Sequence, residues 1–136
     1  MKKGTILWRY DKSHVSNTDL MSVFAGQFVH DLNGDNVSDI LAVHGGDELS
    51  DPKVNSENLF GRVILFNGKT GQPLRWIPTP DRRESYYPPQ ILTWLDGEQY
   101  ALFGTGASTR GGSLYVISSY ELYKGDISKV TTILLG

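Results

Sequence analysis

Oxygen-bearing side chains recur at short intervals in residues 31–39 of the sequence. Counted from Asp31, they occupy positions 1, 3, 5 and 9, and they are Asp31, Asn33, Asp35 and Asp39. Position 7 is Val37, whose backbone carbonyl adds a fifth oxygen. A tight loop with this spacing turns alternate residues inward, so that its side chains and one carbonyl can surround a hard cation.

The charge of this segment also indicates a cation. Three carboxylates fall within nine residues, and each close pair repels by about 1 kcal/mol in water, or up to ~4 kcal/mol near a protein surface at 4 Å. Oxygen-only ligands with a net charge of −3 favour Ca²⁺ over zinc or copper, whereas Mg²⁺ demands a tighter octahedral shell and keeps more of its water. Gly34 and Asn36 are residue types that tolerate the positive φ of such a turn. The segment therefore predicts a calcium site.

Two other interpretations of the acidic segment were considered. An EF-hand shares ligand positions 1, 3, 5, 7 and 9, but here position 12 is Ala42 rather than glutamate, position 6 is Asn36 rather than glycine, and the flanks look like strands. The simpler alternative is a hydrophilic hairpin turn shaped by Asp35 and Asn36, since both residue types are common in turns. The regular spacing beside a strand favours the cation.

The rest of the chain predicts β-structure. Apolar segments are short, rich in Val, Ile, Leu, Phe and Tyr, and separated by Gly, Asp, Asn, Ser and Pro. We predict strands over residues 4–10, 22–30, 39–44, 61–66, 73–77, 89–95, 99–104, 112–118 and 129–135. One helical turn is expected at 119–124, ending at Gly125.

An internal repeat organises these strands. Residues 39–46, DILAVHGG, align with 99–106, QYALFGTG, at an offset of 60, and 61–66, GRVILF, align with 112–117, GSLYVI, at an offset of 51. Antiparallel four-stranded units repeating every ~40 to 60 residues are typical of β-propeller blades, although a propeller closes with roughly four to eight of them. We therefore expect an all-β fold of about two blades plus one extra N-terminal strand, completed by remaining blades or by a homo-oligomer. The alternative is a β-sandwich of eight or nine strands.

The segment DLNGDNVSDI, residues 31–40, resembles the calcium loop of FG-GAP repeats, the blades of integrin α-subunit-type propellers. NLFGRVILFNGKTGQPLRW, from residue 58, is similar to the segment that follows in such repeats, and GGSLYVIS fills the same place in the second repeat. The resemblance implies an outer strand of a preceding blade at 1–10, a calcium-binding blade at 20–78 and a degenerate second blade at 86–136. It implies the metal ligands Asp31, Asn33, Asp35, Val37 through its carbonyl, and Asp39.

The sequence departs from the family pattern in two places. Asn36 stands where the family usually has glycine, which leaves the ligands intact. In the second repeat LDGEQY, residues 95–100, offers only Asp96 and Glu98 and has no room for a nine-residue loop. We expect no metal there.

Composition narrows the function. The net charge of −2 and the scattered basic residues argue against nucleic-acid binding, and no stretch reaches the ~18 to 20 apolar residues of a membrane span. Cysteine is absent, which excludes a thiolate metal site. The sequence contains no nucleophile elbow, Walker loop or zinc-protease motif. These features favour a binding module over an enzyme.

We therefore expect a calcium-binding module that mediates protein–protein or cell-surface recognition, with an unidentified protein or cell-surface ligand. An extracellular or cell-surface location follows from calcium supply, because extracellular sites bind at about 10⁻⁴ to 10⁻³ M. The long connection 45–60 and residues 79–89, with Arg82, Arg83, Tyr86 and Tyr87, are candidate contact regions, the latter alternatively a connection between blades. The alternative function is the scaffold of a polysaccharide-degrading or quinoprotein-like propeller enzyme.

Overall fold

A computed structural model describes residues 4–9, 26–44, 61–106 and 111–135. They form eight strands in two antiparallel sheets, with one short α-helix. The first sheet contains β1 (Gln27–Val29), β2 (Asp39–His44), β3 (Arg62–Phe66) and β4 (Pro73–Pro78). The second contains β5 (Gln90–Thr93), β6 (Gln99–Gly104), β7 (Ser113–Ser118) and β8 (Thr131–Leu135), and helix α1 (Ser119–Lys124) lies between β7 and β8 in the chain.

Each sheet is a simple meander in which strands adjacent in sequence are adjacent in space. The predicted four-stranded units are therefore present, and the repeat places β2 and β6 second, and β3 and β7 third, in their sheets. Both sheets are open, and the described residues do not close them into a ring. The chain is mostly β, as expected.

The strand ladders show that the two sequence offsets do not describe one superposition. Val43 pairs with Val63 in the first sheet, and Phe103, 60 residues after Val43, pairs with Tyr115 in the second. Tyr115 lies 52 residues beyond Val63, not 51. A shift of one residue exchanges the two faces of a strand, so the choice of offset decides which faces correspond.

The consequence concerns how the sheets relate to each other. At an offset of 51, Val63 and Leu65, which face the shared core, correspond to Leu114 and Val116, which alternate with the core residues of β7. That relation is expected of repeats stacked in layers, each showing the same face in the same direction. The offset of 60 between β2 and β6 relates two faces that meet. The sequence repeat contains both relations.

The main core lies between the sheets. β2 and β3 contribute Leu41, Val43, Val63 and Leu65, all at most 1% exposed, and β6 and β7 contribute residues from the other side. Those are Ala101, Phe103, Tyr115 and Ile117. The other face of the first sheet is also buried at its centre, around Ala42, Ile64 and Phe66. The middle strands of the first sheet are therefore apolar on both faces, as buried strands are.

The two sheets meet directly at one side and are separated by a helix at the other. β1 lies beside β5, whereas α1 contacts β4 of the first sheet as well as β6 and β7 of its own. Leu122 of α1 is 2% exposed and belongs to the core between the sheets, and the Arg75 guanidinium lies 5.3 Å from the ring centroid of Tyr123. The helix therefore fills a gap between the first sheet and the second.

The predicted helical turn at 119–124 is confirmed. The side chain of Ser118 caps its first turn by accepting the amide of Glu121 at 3.2 Å. Gly125 ends the helix with φ of 76°, a left-handed conformation that glycine adopts without steric cost. Its amide donates to the carbonyls of Glu121 and Leu122.

Seven of the predicted strands coincide with observed strands to within two residues at each end in the described part of the chain, and an eighth, 22–30, is observed as β1 (Gln27–Val29), since 22–25 lie outside that part. The ninth prediction was wrong for the residues that can be compared: 4–9 form no strand. A strand requires a ladder partner, and this segment instead lies against the β3–β4 turn. The loop 45–60 also lies outside the described residues.

Replacing Leu65 with alanine tests the shared core. Leu65 is 0% exposed and packs between the sheets, so the substitution should lower the free energy of unfolding by about 2 to 5 kcal/mol. Denaturant unfolding followed by circular dichroism measures the loss. Leu95→Ala is the matched control, because Leu95 is 99% exposed and should change stability by less than about 0.5 kcal/mol. Similar losses in both variants would contradict the assigned core.

Candidate functional site

The acidic segment forms the connection between β1 and β2. The ladder between these strands closes at the pair Val29 and Asp39, so residues 30–38 protrude as a loop from a fixed base. We call residues 31–39 the acidic loop. It therefore sits on a strand hairpin, and its two ends are held in register by the first sheet.

Asp31 organises the first half of the acidic loop. Its Oδ1 accepts the amides of Gly34 at 2.7 Å and Asp35 at 3.1 Å, and its Oδ2 accepts the amide of Asn36 at 2.6 Å. The chain can curl around one carboxylate because Gly34 and Asn36 have φ of 82° and 65°. These are the two positions that the sequence indicated for positive φ. The wrapped turn is the expected one.

Asn33 and Asp35 are brought together inside the same turn. The amide nitrogen of Asn33 donates to Asp35 Oδ2 at 3.1 Å, and Asp35 Oδ1 accepts the backbone amide of Val37 at 3.0 Å. The backbone amide of Asp35 donates in turn to Asn33 Oδ1 at 3.3 Å. Three of the predicted ligand side chains thus share one hydrogen-bonded loop.

Asp39 has a different environment from the other predicted ligands. It is 0% exposed, and its Oδ2 accepts the amide of Leu32 at 2.8 Å while its Oδ1 accepts the amide of Gly68 at 3.1 Å. Gly68 belongs to the turn between β3 and β4. The Asp39 carboxylate therefore links the acidic loop to a second turn of the same sheet, a structural role that the sequence did not reveal.

The turn at residues 67–72 must approach the acidic loop closely. A Cβ on Gly68 would lie 1.8 Å from the carbonyl oxygen of Ser38, so no larger residue fits without moving the backbone. The Gly68 carbonyl accepts the indole Nε1 of Trp8 at 2.8 Å, and a Cβ on Gly71 would lie 2.3 Å from the Trp8 ring. Sequence analysis missed Trp8, Gly68 and Gly71 as parts of this site, although the glycine pair in NGKTG was the available signal.

The electrostatics of the loop favour an ionised Asp31. Partial desolvation is the largest single influence and raises the pKa of its carboxyl. The hydrogen bonds from the amides of Asn36, Gly34, Asp35 and Asn33 together outweigh it, so the pKa of Asp31 lies below the usual aspartate value. Backbone donors thus hold a negative charge in the loop.

The donor chemistry fits a hard cation, but the carboxylates are not converged on one point. The candidate set consists of carboxylate, amide and carbonyl oxygens, and a carboxylate oxygen that accepts one amide retains a second lone pair. Across the described ranges, no three Asp, Glu, His or Cys side chains lie where they could jointly hold a metal ion. Asp31, Asn33 and Asp35 are grouped in the turn, whereas Asp39 is engaged with Leu32 and Gly68.

The corresponding turn of the second sheet is short. The amide of Trp94 donates to the Glu98 carbonyl at 2.8 Å, Gly97 has φ of 87°, and the amide of Glu98 donates to Asp96 Oδ1 at 2.9 Å. Only five residues, 94–98, connect β5 to β6. The loop around which the first sheet's carboxylates gather thus has no counterpart of similar length here.

Residues 79–89 join the two sheets through an extensive set of hydrogen bonds. Thr105 Oγ1 donates to Asp81 Oδ2 at 2.6 Å, Ser85 Oγ donates to the Gly104 carbonyl at 2.6 Å, and Arg83 Nη1 donates to the Gly111 carbonyl. These contacts support the interpretation of this segment as a connection. Tyr87, at 79% exposed, is the aromatic residue of the segment that solvent reaches most.

Comparison of the chain with protein-family models, with curated proteins and with solved structures found no match. Within the described parts of the chain, no helix is long and apolar enough to cross a membrane.

Removing the Asp39 carboxylate should destabilise the first sheet. In Asp39→Ala the amides of Leu32 and Gly68 lose their buried acceptor, which should cost about 2 to 4 kcal/mol of unfolding free energy. Urea unfolding in the presence of a chelator measures this without a cation. Asp96→Ala is the control, since it also removes an acceptor of one backbone amide but from an exposed turn. Equal effects of the two substitutions would contradict the anchoring role.

The depressed pKa of Asp31 predicts how stability depends on pH. A carboxyl whose folded pKa lies below its unfolded value of about 3.9 stabilises the fold above that pH, and the contribution is lost as the pH falls through the folded pKa. Between pH 6 and pH 2 the Asp31→Asn variant should therefore lose less stability than the native chain. Urea unfolding across this range measures the difference, and Glu98→Gln, which should behave as the native chain, is the control. A native-like pH profile for Asp31→Asn would contradict the assignment.

Proposed function

We propose that this chain is a calcium-binding β-sheet module of the propeller-blade type that acts in protein–protein or cell-surface recognition outside the cell. One observation carries the proposal: residues 31–36 wrap around the Asp31 carboxylate on top of a hairpin whose ends are fixed. Such a preformed loop of hard oxygen donors lowers the ordering cost of binding a cation. The ligands in this proposal are Asp31, Asn33, Asp35, the Val37 carbonyl and Asp39.

The cation would supply positive charge to a loop that otherwise relies on backbone amides. Asp31 and Asp35 hold their charges next to one another through the donors of Gly34, Asn36 and Val37. A divalent ion among these oxygens would remove the remaining repulsion, which stabilises the hairpin from which the loop protrudes. In the proposal the site is structural, because no described residue beside it offers a nucleophile or a base.

The shape of the two sheets supports the blade interpretation. β1 lies close to β5, whereas α1 is inserted between the first sheet and the second at the side of β4. Sheets that touch at their first strands and are held apart further out are arranged as radial packing of blades requires. Completion of a ring would require remaining blades or further copies of the chain.

The proposed location follows from affinity. Oxygen-ligand loops of extracellular modules bind Ca²⁺ at about 10⁻⁴ to 10⁻³ M, a range that extracellular calcium fills. The proposal gives the chain no catalytic role. Assays of turnover on glycans and of quinone-linked redox activity test this point, and activity abolished by a single substitution would overturn it in favour of an enzyme scaffold.

Calcium should stabilise the native chain through Asp35. At 10 mM Ca²⁺ a site of that affinity raises the free energy of unfolding by about 1.4 to 2.7 kcal/mol, and Asp35→Ala should abolish the gain. Thermal unfolding with calcium, with magnesium and with chelator measures it. Asp96→Ala, in the turn of the other sheet, should keep the full gain. A native chain whose melting temperature is the same with calcium and with chelator would refute the site.

A further inference from the structure

The second sheet presents an open apolar face on the side opposite the core. Leu92, Trp94, Tyr100 and Val116 line a groove of about 350 Å³ there, a volume within the usual range of ligand sites. Leu92 is 50% and Trp94 61% exposed. We call the surface formed by these four residues, together with the adjacent Leu102, the outer face.

The strands of the second sheet have the sequence of strands that are covered on both sides. In β6, Ala101 and Phe103 are buried in the core, and the residues that alternate with them are Tyr100 and Leu102 rather than charged residues. The first sheet has the same two-sided pattern, and there the second face is buried, with Ile64 at 0% exposed. Two-sided apolar strands are expected in sheets with both faces packed. The outer face is thus built for contact but open in the chain alone.

The charge at the end of the outer face is negative. Asp96 and Glu98 lie in the turn between β5 and β6, next to Trp94 and Tyr100. Their proximity is seen in the pKa of the Tyr100 hydroxyl, which is raised first by the charge of Glu98, then by desolvation and then by the charge of Asp96. By strand register, the described positions that alternate with the core residues of β5, β6 and β7 carry no basic side chain.

From these features we propose that the outer face docks a β-strand of a different polypeptide, one with alternate apolar side chains and a lysine or arginine near its end. The apolar side chains of that strand would cover Leu92, Tyr100 and Val116. Its cation would lie against the Trp94 ring, where cation–π attraction is strongest among side chains, and beside the carboxylates of Asp96 and Glu98. Burial of the apolar contact strengthens both charge interactions, because water is excluded.

The same features argue against a second copy of this chain as the occupant. Pairing of two outer faces would bring together two uncharged apolar surfaces with two acidic turns and no basic side chain between them. The outer side of the first sheet is the other candidate surface of a copy, but Ala42, Ile64 and Phe66 at its centre are already buried within the chain. A partner that supplies its own positive charge satisfies Asp96 and Glu98.

This inference rests on the proposed recognition role, and it is independent of the proposed cation. Two fluorescein-labelled nine-residue peptides are the probes: both alternate valine with threonine, and they differ only by a lysine or a glutamate at the penultimate position. Fluorescence anisotropy with the full chain should give tighter binding of the lysine peptide by roughly tenfold. Trp94→Ala and Leu92→Ser should each weaken its binding by roughly tenfold or more.

Matched variants separate the apolar contact from the charge. Leu7→Ser removes an apolar side chain that is 87% exposed but lies outside the outer face, and it should leave binding unchanged. The double variant Asp96→Asn with Glu98→Gln should reduce the preference for the lysine peptide to within about twofold while retaining basal binding. Circular dichroism confirms that each variant is folded.

Several results would overturn the inference. These are equal affinity for the two peptides, no binding of either by the folded chain, an effect of Leu7→Ser equal to that of Leu92→Ser, or a dimer in light scattering that Leu92→Ser converts to monomer. The last result would identify a second copy as the occupant. Calcium titration by calorimetry on the same samples distinguishes the two proposals: calcium binding without peptide binding refutes only the docking site, and peptide binding without calcium binding refutes only the cation site.

Discussion

The burial of the Asp39 carboxylate is the interaction on which the site depends. A carboxylate with no exposed surface must be compensated by donors, since an unpaired buried charge costs several kcal/mol. The donors are the amides of Leu32 in the acidic loop and Gly68 in the neighbouring turn. This one side chain therefore fixes the base of the loop, the position of the β3–β4 turn and the distance between them. The close approach of Ser38 to Gly68 follows from the same constraint.

The surroundings of Asp39 extend this linkage to the N-terminal segment. Because Gly68 donates its amide to Asp39, its carbonyl faces outward, where it accepts the indole of Trp8. The Trp8 ring then covers Gly71, which is buried and in the left-handed region. Segment 4–9 is thus attached to the first sheet by one side chain rather than by a strand ladder. Ile6 and Leu7, which flank this contact, are 71% and 87% exposed.

The two sheets share a strand plan but differ in how much of it is used. The first has a long loop between its first two strands and is buried at the centre of both faces. The second has a five-residue turn in the same place and is buried on one face. The carboxylates of the first loop are surrounded by backbone donors, whereas Asp96 and Glu98 in the second stand beside exposed aromatic rings. A similar scaffold therefore offers a cation-type loop on one sheet and an open apolar face on the other.

The sequence by itself determined the local structure. Alternating apolar segments bounded by turn residues predicted the strands β2 to β8 and the helix α1, because strand and helix periodicity and the Gly125 stop are local properties. The spacing of Asp31, Asn33 and Asp35 likewise predicted a wrapped loop, since the side chains and the amides they accept are at most five residues apart. Asn36, unusual at its position, was correctly expected at positive φ.

Only the tertiary structure decided the long-range relations. The burial of Asp39 and the docking of Trp8 each depend on Gly68, which is 29 and 60 residues away, and no local pattern encodes such a distance. The one-residue difference between the repeat offset of β3 and β7 and their true ladder position is visible only through pairing partners, because strand register is set by neighbouring strands. For the same reason residues 4–9, apolar enough to be a strand, are not one: a strand exists only where a partner supplies its hydrogen bonds.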